Sequence, residues 1–158
     1  MFAKRNLRTL LVAAFAAGAG IPAHAQSTAP TSASPAATSA PSGGNLAIEL
    51  NKASDANGNC RLVFVAKNDT GQPLDQTAYE VVIFDGEGGV LDFLVLQFGR
   101  YPSGKTRVVR FDVENQQCEG ISRLLVNDID VCVSGGQATN VCVEKLTTTS
   151  RNDIKFDQ

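Results

Sequence analysis

The chain has 158 residues, with 14 Lys and Arg against 16 Asp and Glu, and a formal charge of −2. That length holds one ordinary domain with appendages and excludes two. It carries one histidine, His24, and no tryptophan.

Lys4, Arg5 and Arg8 precede an apolar run from Leu10 to Ile21, and Ala23-His24-Ala25 puts small residues at both recognition positions of a cleavage site. This pattern predicts a secretory signal over residues 1–25. The apolar run has about 12 residues, short of the roughly 17–25 that cross a bilayer, so no transmembrane anchor is expected in the mature form. No cysteine lies near the cleavage point, which argues against a lipoprotein. Lys4-Arg5 differs by one residue from a twin-Arg pair, and ordinary unfolded export is favoured. The expected location is the periplasm, or the medium beyond it. Cleavage removes His24, which excludes His-dependent catalysis and His-ligated metal in the mature chain. It also takes three of the 14 basic residues and none of the 16 acidic ones, moving the formal charge from −2 to −5. With no basic cluster, nucleic acid is not an expected partner.

Residues 26–45 contain only small and polar side chains and three prolines, Pro30, Pro35 and Pro41. Such a stretch buries too little apolar surface to offset its ordering entropy and reads as a disordered spacer.

Residues 46–158 form the expected domain. Leu46-Ala-Ile48-Glu-Leu50 alternates as a first strand, and Asn57-Gly-Asn59 is a turn. Leu62, Phe64 and Ala66 mark one face of a second strand, ended by the polar turn Asn68–Pro73. Tyr79, Val81 and Ile83 alternate in a third, and Asp85–Gly89 is a strong hairpin signal leading into a return strand over Val90–Phe98. Pro102–Lys105 turns the chain into a fifth strand around Arg107–Asp112, followed by a short helical or irregular turn near Glu114–Gly120. Ile121–Val133 and Val141–Thr149 supply two more strands. Short β-branched and aromatic runs with this punctuation indicate an all-β fold. Seven strands suit a two-layer sandwich of the immunoglobulin or fibronectin type, with a small barrel as the alternative. The missing tryptophan favours the fibronectin-like form.

All four cysteines, Cys60, Cys118, Cys132 and Cys142, follow the signal, and an even set in a small exported domain reads as disulfides. In a fibronectin-like sandwich the second and sixth strands run in the same direction in facing sheets, so their starts meet. Cys60 opens the second strand and Cys118 just precedes the sixth. Cys132 closes the sixth and Cys142 opens the seventh. The expected pairs are 60–118 and 132–142. There is no close CxxC pair, so neither a zinc site nor redox catalysis is expected, and no metal or cofactor is expected elsewhere.

Asp69-Thr70-Gly71 matches the triplet of aspartic proteases, but its polar neighbours read as a plain turn. Asn68-Asp-Thr70 fits a glycosylation acceptor, although the signal has a bacterial look. Asp85, Glu87, Asp112, Asp128 and Asp130 are the carboxylates from which an active site could be built. Strict alternation would put Asp128, Asp130 and Cys132 on one face of their strand. Ser54, Ser103 and Ser122 have no identifiable base. Arg123 lies in an apolar run and needs a partner; Asp128 or Glu119 could supply a buried ion pair. Thr147–Arg151, followed by Ile154 and Phe156, reads as an edge strand or a segment that adds to a partner's sheet.

Leu46–Asn51, Cys60–Gly71, Ile83–Val90, Tyr101–Phe111, Leu124–Cys132 and Ser150–Phe156 resemble a group of small exported proteins of Alphaproteobacteria without an assigned biochemical role. Some of those proteins are labelled by a twin-Arg signal, from which Lys4-Arg5 departs. The Asn-Asp-Thr-Gly-Gln turn, the strand into Phe84-Asp-Gly and the Pro-Ser-Gly-Lys turn also resemble bacterial fibronectin-like accessory modules. The resemblance implies fold and carries no catalytic residue across.

The expected function is a non-enzymatic periplasmic module that binds an envelope protein or acts as a scaffold. Phe93, Val95, Tyr101, Ile154 and Phe156 are its candidate interface. The alternatives are a carboxylate-based periplasmic hydrolase, which needs those acids to converge in one cleft, and a secreted inhibitor using a protruding Val133–Val141 loop.

Overall fold

Asn57 and Gly58 both take positive φ, 55° and 81°, as a two-residue type I′ hairpin demands. They join β1 (Leu46–Ala56) to β2 (Asn59–Asn68) in antiparallel register. The computed structural model describes residues 44–158; the expected signal at 1–25 and all but the last two residues of the expected spacer at 26–45 lie outside them.

The second hairpin joins β3 (Gln76–Phe84) to β4 (Val90–Gln97). Asp85 builds its turn: Oδ1 accepts the amides of Glu87 and Gly89 at 2.9 and 2.7 Å. Then come β5 (Thr106–Val113), a single 3-10 turn at Cys118–Gly120, and β6 (Arg123–Ser134). The two-residue β7 (Gln137–Ala138), the one-turn helix α1 (Val141–Glu144), β8 (Leu146–Ser150) and β9 (Lys155–Asp157) complete the chain.

The strands form two sheets. One is four-stranded, in the order β5-β2-β1-β8; the other is five-stranded, β4-β3-β6-β7, with β9 also beside β6. The fold is an all-β sandwich. Alternation puts Leu46, Ile48, Leu50, Leu62 and Phe64 from one sheet against Tyr79, Val81, Ile83, Leu96 and Leu124 from the other in a single core. Aromatic rings fill its middle. Phe98 meets Phe64, Tyr79 and Phe111 edge to face with centroids 5.6, 5.9 and 5.3 Å apart. Phe156 reaches Phe64 at 5.3 Å from the far side.

Both expected disulfides are present. Cys60–Cys118 ties the start of β2 to the turn before β6, and Cys132–Cys142 ties the end of β6 to α1.

The last part of the chain departs from expectation. Val141-Cys-Val reads as a strand by its β-branched residues, yet forms α1, with the amides of Val143 and Glu144 both bonded to the Asn140 carbonyl at 3.0 Å. Strand preference reflects the surface a residue packs on, and here Val141 and Cys142 are buried in a helical turn whose Cys142 is bridged to Cys132. The expected seventh strand therefore begins only at Leu146. It then divides: β8 lies parallel to β1, and after a turn β9 lies parallel to β6 in the other sheet. One segment thus closes the edges of both layers.

Asn68 ends β2 fully buried, with every bonding position of its amide used. Its nitrogen donates to the carbonyls of Gln72 and Tyr101 at 2.8 and 2.9 Å, and its oxygen accepts the amide and hydroxyl of Thr70. The glycosylation-like and protease-like triplets are both this one turn. Asp69 faces out and pairs with Lys67 at 2.7 Å.

Candidate interaction surface

The outer face of the five-stranded sheet is set by register. β3 turns Ala78, Glu80, Val82 and Phe84 outward, and β4 places Gln97, Val95, Phe93 and Val90 beside them. Phe93, Val95 and Val90 stand 57%, 48% and 52% exposed. Phe93 flanks Val82 on one side and Leu125 flanks it on the other; Val82 between them is 4% exposed, so the exposed part of this apolar row is Phe93, with Leu125 half-buried. β4 is an edge of its sheet.

β6 does not follow strict alternation. Its register against β3 slips twice, leaving Asp130 and Asn127 as extra residues. Leu124, Val126, Ile129 and Cys132 consequently point inward, opposite Ile83, Val81, Tyr79 and Thr77. Asp128 points outward, opposite Glu80. Each bulge adds an unpaired residue that changes which side chain meets the core and bends the strand locally. The expected shared face of Asp128, Asp130 and Cys132 is therefore corrected: Cys132 is buried and Asp128 exposed.

Arg123 is also reassigned. It bonds Asp157 at 2.9 Å, not Asp128 or Glu119, and its guanidinium lies 5.2 Å from the centre of the Phe84 ring. The pair is not buried, since its side chains are 38% and 46% exposed. Arg123 and Asp128 face the same way but sit two rows apart, whereas Asp157 is carried alongside by β9.

Of the five candidate interface residues, Phe93 and Val95 are exposed. Tyr101, Ile154 and Phe156 lie in the core at 0%, 5% and 6% exposure. Tyr101 is held inside by its bridge to Leu74, and the tail residues by the two-sheet path of β8 and β9.

Burial also sets the two phenols. It pushes Tyr101 up to about 12, and Tyr79 further, because a phenolate in the core would lose its hydration. Above pH 10 the unfolded chain releases phenolic protons that the folded chain keeps, so stability falls as pH rises. The contribution is whole below pH 10 and declines as pH climbs through about 12. Tyrosinate absorbance should therefore appear together with unfolding. Absorbance rising near pH 10 while the fold persists would contradict the burial of both rings.

The remaining candidate carboxylates lie in three separate places. Asp112 pairs with Arg61 at 2.7 Å on the four-stranded sheet, and this hydrogen-bonded partner holds its carboxyl below the usual range. Asp85 caps its hairpin with Glu87 in the same turn, and Asp128 and Asp130 neighbour each other on β6. Among the described residues, no three His, Cys, Asp or Glu side chains form a group that could hold a metal ion. The Val133–Val141 segment folds back, with β7 pairing β6 and Gly136 donating to Asp75 at 3.1 Å. Among the described residues, no helix is long and apolar enough to cross a membrane. Comparison with protein-family models, with curated proteins and with solved structures finds no match.

Proposed function

We propose that this chain is a periplasmic protein-binding or scaffold module of fibronectin-like architecture, and that its contact surface is the outer face of β4, β3 and β6. The carrying observation is the exposure of Phe93 and Val95 beside Val90 on an edge strand. Large apolar side chains gathered on one face lose water contact when a partner covers them, and such gathered patches mark interaction sites. The two disulfides suit an oxidising compartment. The sequence pattern of residues 1–25 suits export to it.

A photo-crosslinking amino acid at position 93 of the full chain tests this in cells that make the protein naturally. A discrete adduct is expected at 93 and none at Ser103, an exposed turn residue away from the face. No adduct at 93, or equal labelling from both positions, would defeat the reading.

A further inference from the structure

We infer that the partner on this face is a second copy of the chain, bound head to tail. The outer face of the five-stranded sheet of one molecule seats on the outer face of the four-stranded sheet of the next. The inference rests on the proposed contact face and adds what covers it.

Charge carries the argument. Glu80 and Asp128 stand directly opposite each other on β3 and β6, with Val95 next in the row. Like charges directly opposite destabilise a sheet. Neither is in an ion pair among the described residues. Glu80 accepts the Asn127 amide at 2.6 Å, and Asp128 accepts the backbone amide of Ile129 at 2.7 Å. Asp130 is exposed on the same strand. The cations of this face do not answer them: Arg123 is bonded to Asp157, and Lys155 lies in the row of Val90 and Phe84. This side is apolar with unpaired carboxylates.

The opposite side is apolar with unpaired cations. Register places Arg110, Val63 and Lys52 in one outward row of the four-stranded sheet, and Val108 beside Val65 in the next. Val108 is 65% exposed. Arg61, Arg151 and Lys67 are matched by Asp112, Glu49 and Asp69. Among the described residues, Arg110 and Lys52 have no such partner.

The two patches lie on opposite sides of a sandwich, so one copy's acidic patch meets the next copy's basic patch. A contact between unlike surfaces repeats along a line unless its rotation closes a ring. Three strands of about eight residues present on the order of 400 Å². Two such faces fall below the roughly 1,200 Å² of a standard interface, so the association is weak and salt-sensitive. Strand addition at the β4 edge is a poorer fit. Asp92 accepts the Phe93 amide at 2.8 Å, and the β4 register slips at Leu91; charge and bulge both blunt an edge.

Sedimentation of the purified full chain over a range of concentration and salt tests this. Wild type is expected to assemble, roughly ten-fold more weakly at high salt than at low salt. Phe93→Gln and Val108→Gln, both at exposed positions, should each stop growth beyond a monomer. Mixed in equal amounts they should form a one-to-one dimer and nothing larger, because each retains one intact face. Glu80→Lys and Arg110→Glu should each weaken assembly, and the chain carrying both should regain it. Circular dichroism confirms the fold of every variant, and Val95→Gln replaces Phe93→Gln if the latter unfolds. A wild type that stays monomeric overturns the inference. So does a loss with Phe93→Gln but not with Val108→Gln, which would indicate a two-fold contact. A monomeric chain that still forms an adduct with another protein from position 93 removes self-association and leaves the contact face standing.

Discussion

Phe98→Ala is expected to destabilise the domain by about 3–5 kcal/mol, whereas Phe93→Ala is expected to cost well under 1 kcal/mol. Both residues belong to the return strand of the second hairpin or its immediate continuation. Phe98 is 2% exposed and packs on Phe64, Tyr79, Tyr101 and Phe111. Its removal loses the transfer free energy of a whole ring and leaves a cavity among rigid neighbours that cannot collapse into it. Edge-to-face pairs add about 0.5–1.5 kcal/mol each beyond burial. Phe93, 57% exposed, has little of this to lose. Urea denaturation of the two variants under matched conditions reads the difference. Similar midpoints would mean that Phe98 is not a keystone of the aromatic cluster.

These two phenylalanines also show what the sequence reveals and where it stops. Val90 to Phe98 is legible as a strand, and its parity separates Leu94, Leu96 and Phe98 from Phe93 and Val95. Asn57-Gly58 and Asp85–Gly89 announce their hairpins because turn chemistry is local. The disulfide pairs follow once the sheets are assigned. Arg123-Leu-Leu-Val-Asn-Asp-Ile-Asp-Val-Cys is different, because a bulge has no local signature. The slip at Asn127 reverses the facing expected from alternation, and the slip at Asp130 restores it, so only the residues between them change sides. The tail is harder still. Ile154 and Phe156 alternate as any edge strand would, and no nearby residue reveals that the chain changes sheets after β8. Tyr101 sits among Gly99, Arg100, Pro102 and Ser103, all turn-like neighbours, and its burial depends on Leu74, distant in sequence. The candidate surface was half visible for the same reason. Phe93 and Val95 are marked by parity, whereas the pairing of Glu80 with Asp128 needs the bulged register.

Replacing Cys60 and Cys118 together by alanine should cost about 4 kcal/mol, and the same change at Cys132 and Cys142 about 3 kcal/mol, from loop-closure entropy alone. The separations are 58 and 10 residues, and the cost grows only with their logarithm. Packing widens the gap for the first pair. Cys60 is fully buried in the core cluster, and the Cys118 amide bonds Asp55 on β1 at 2.7 Å, so this bridge fastens the turn before β6 to the opposite sheet. The second bridge fastens α1 to the strand it already touches, and the Tyr79 hydroxyl, bonded to the Cys142 carbonyl at 2.8 Å, keeps a hold there when the bridge is gone. The Cys132/Cys142 variant should therefore retain a cooperative transition, while the Cys60/Cys118 variant should be the less stable of the two. Denaturant titration of both variants against wild type decides the order. The reverse order would show that anchoring α1, and through it the path of β8, matters more than joining the sheets at the start of β2.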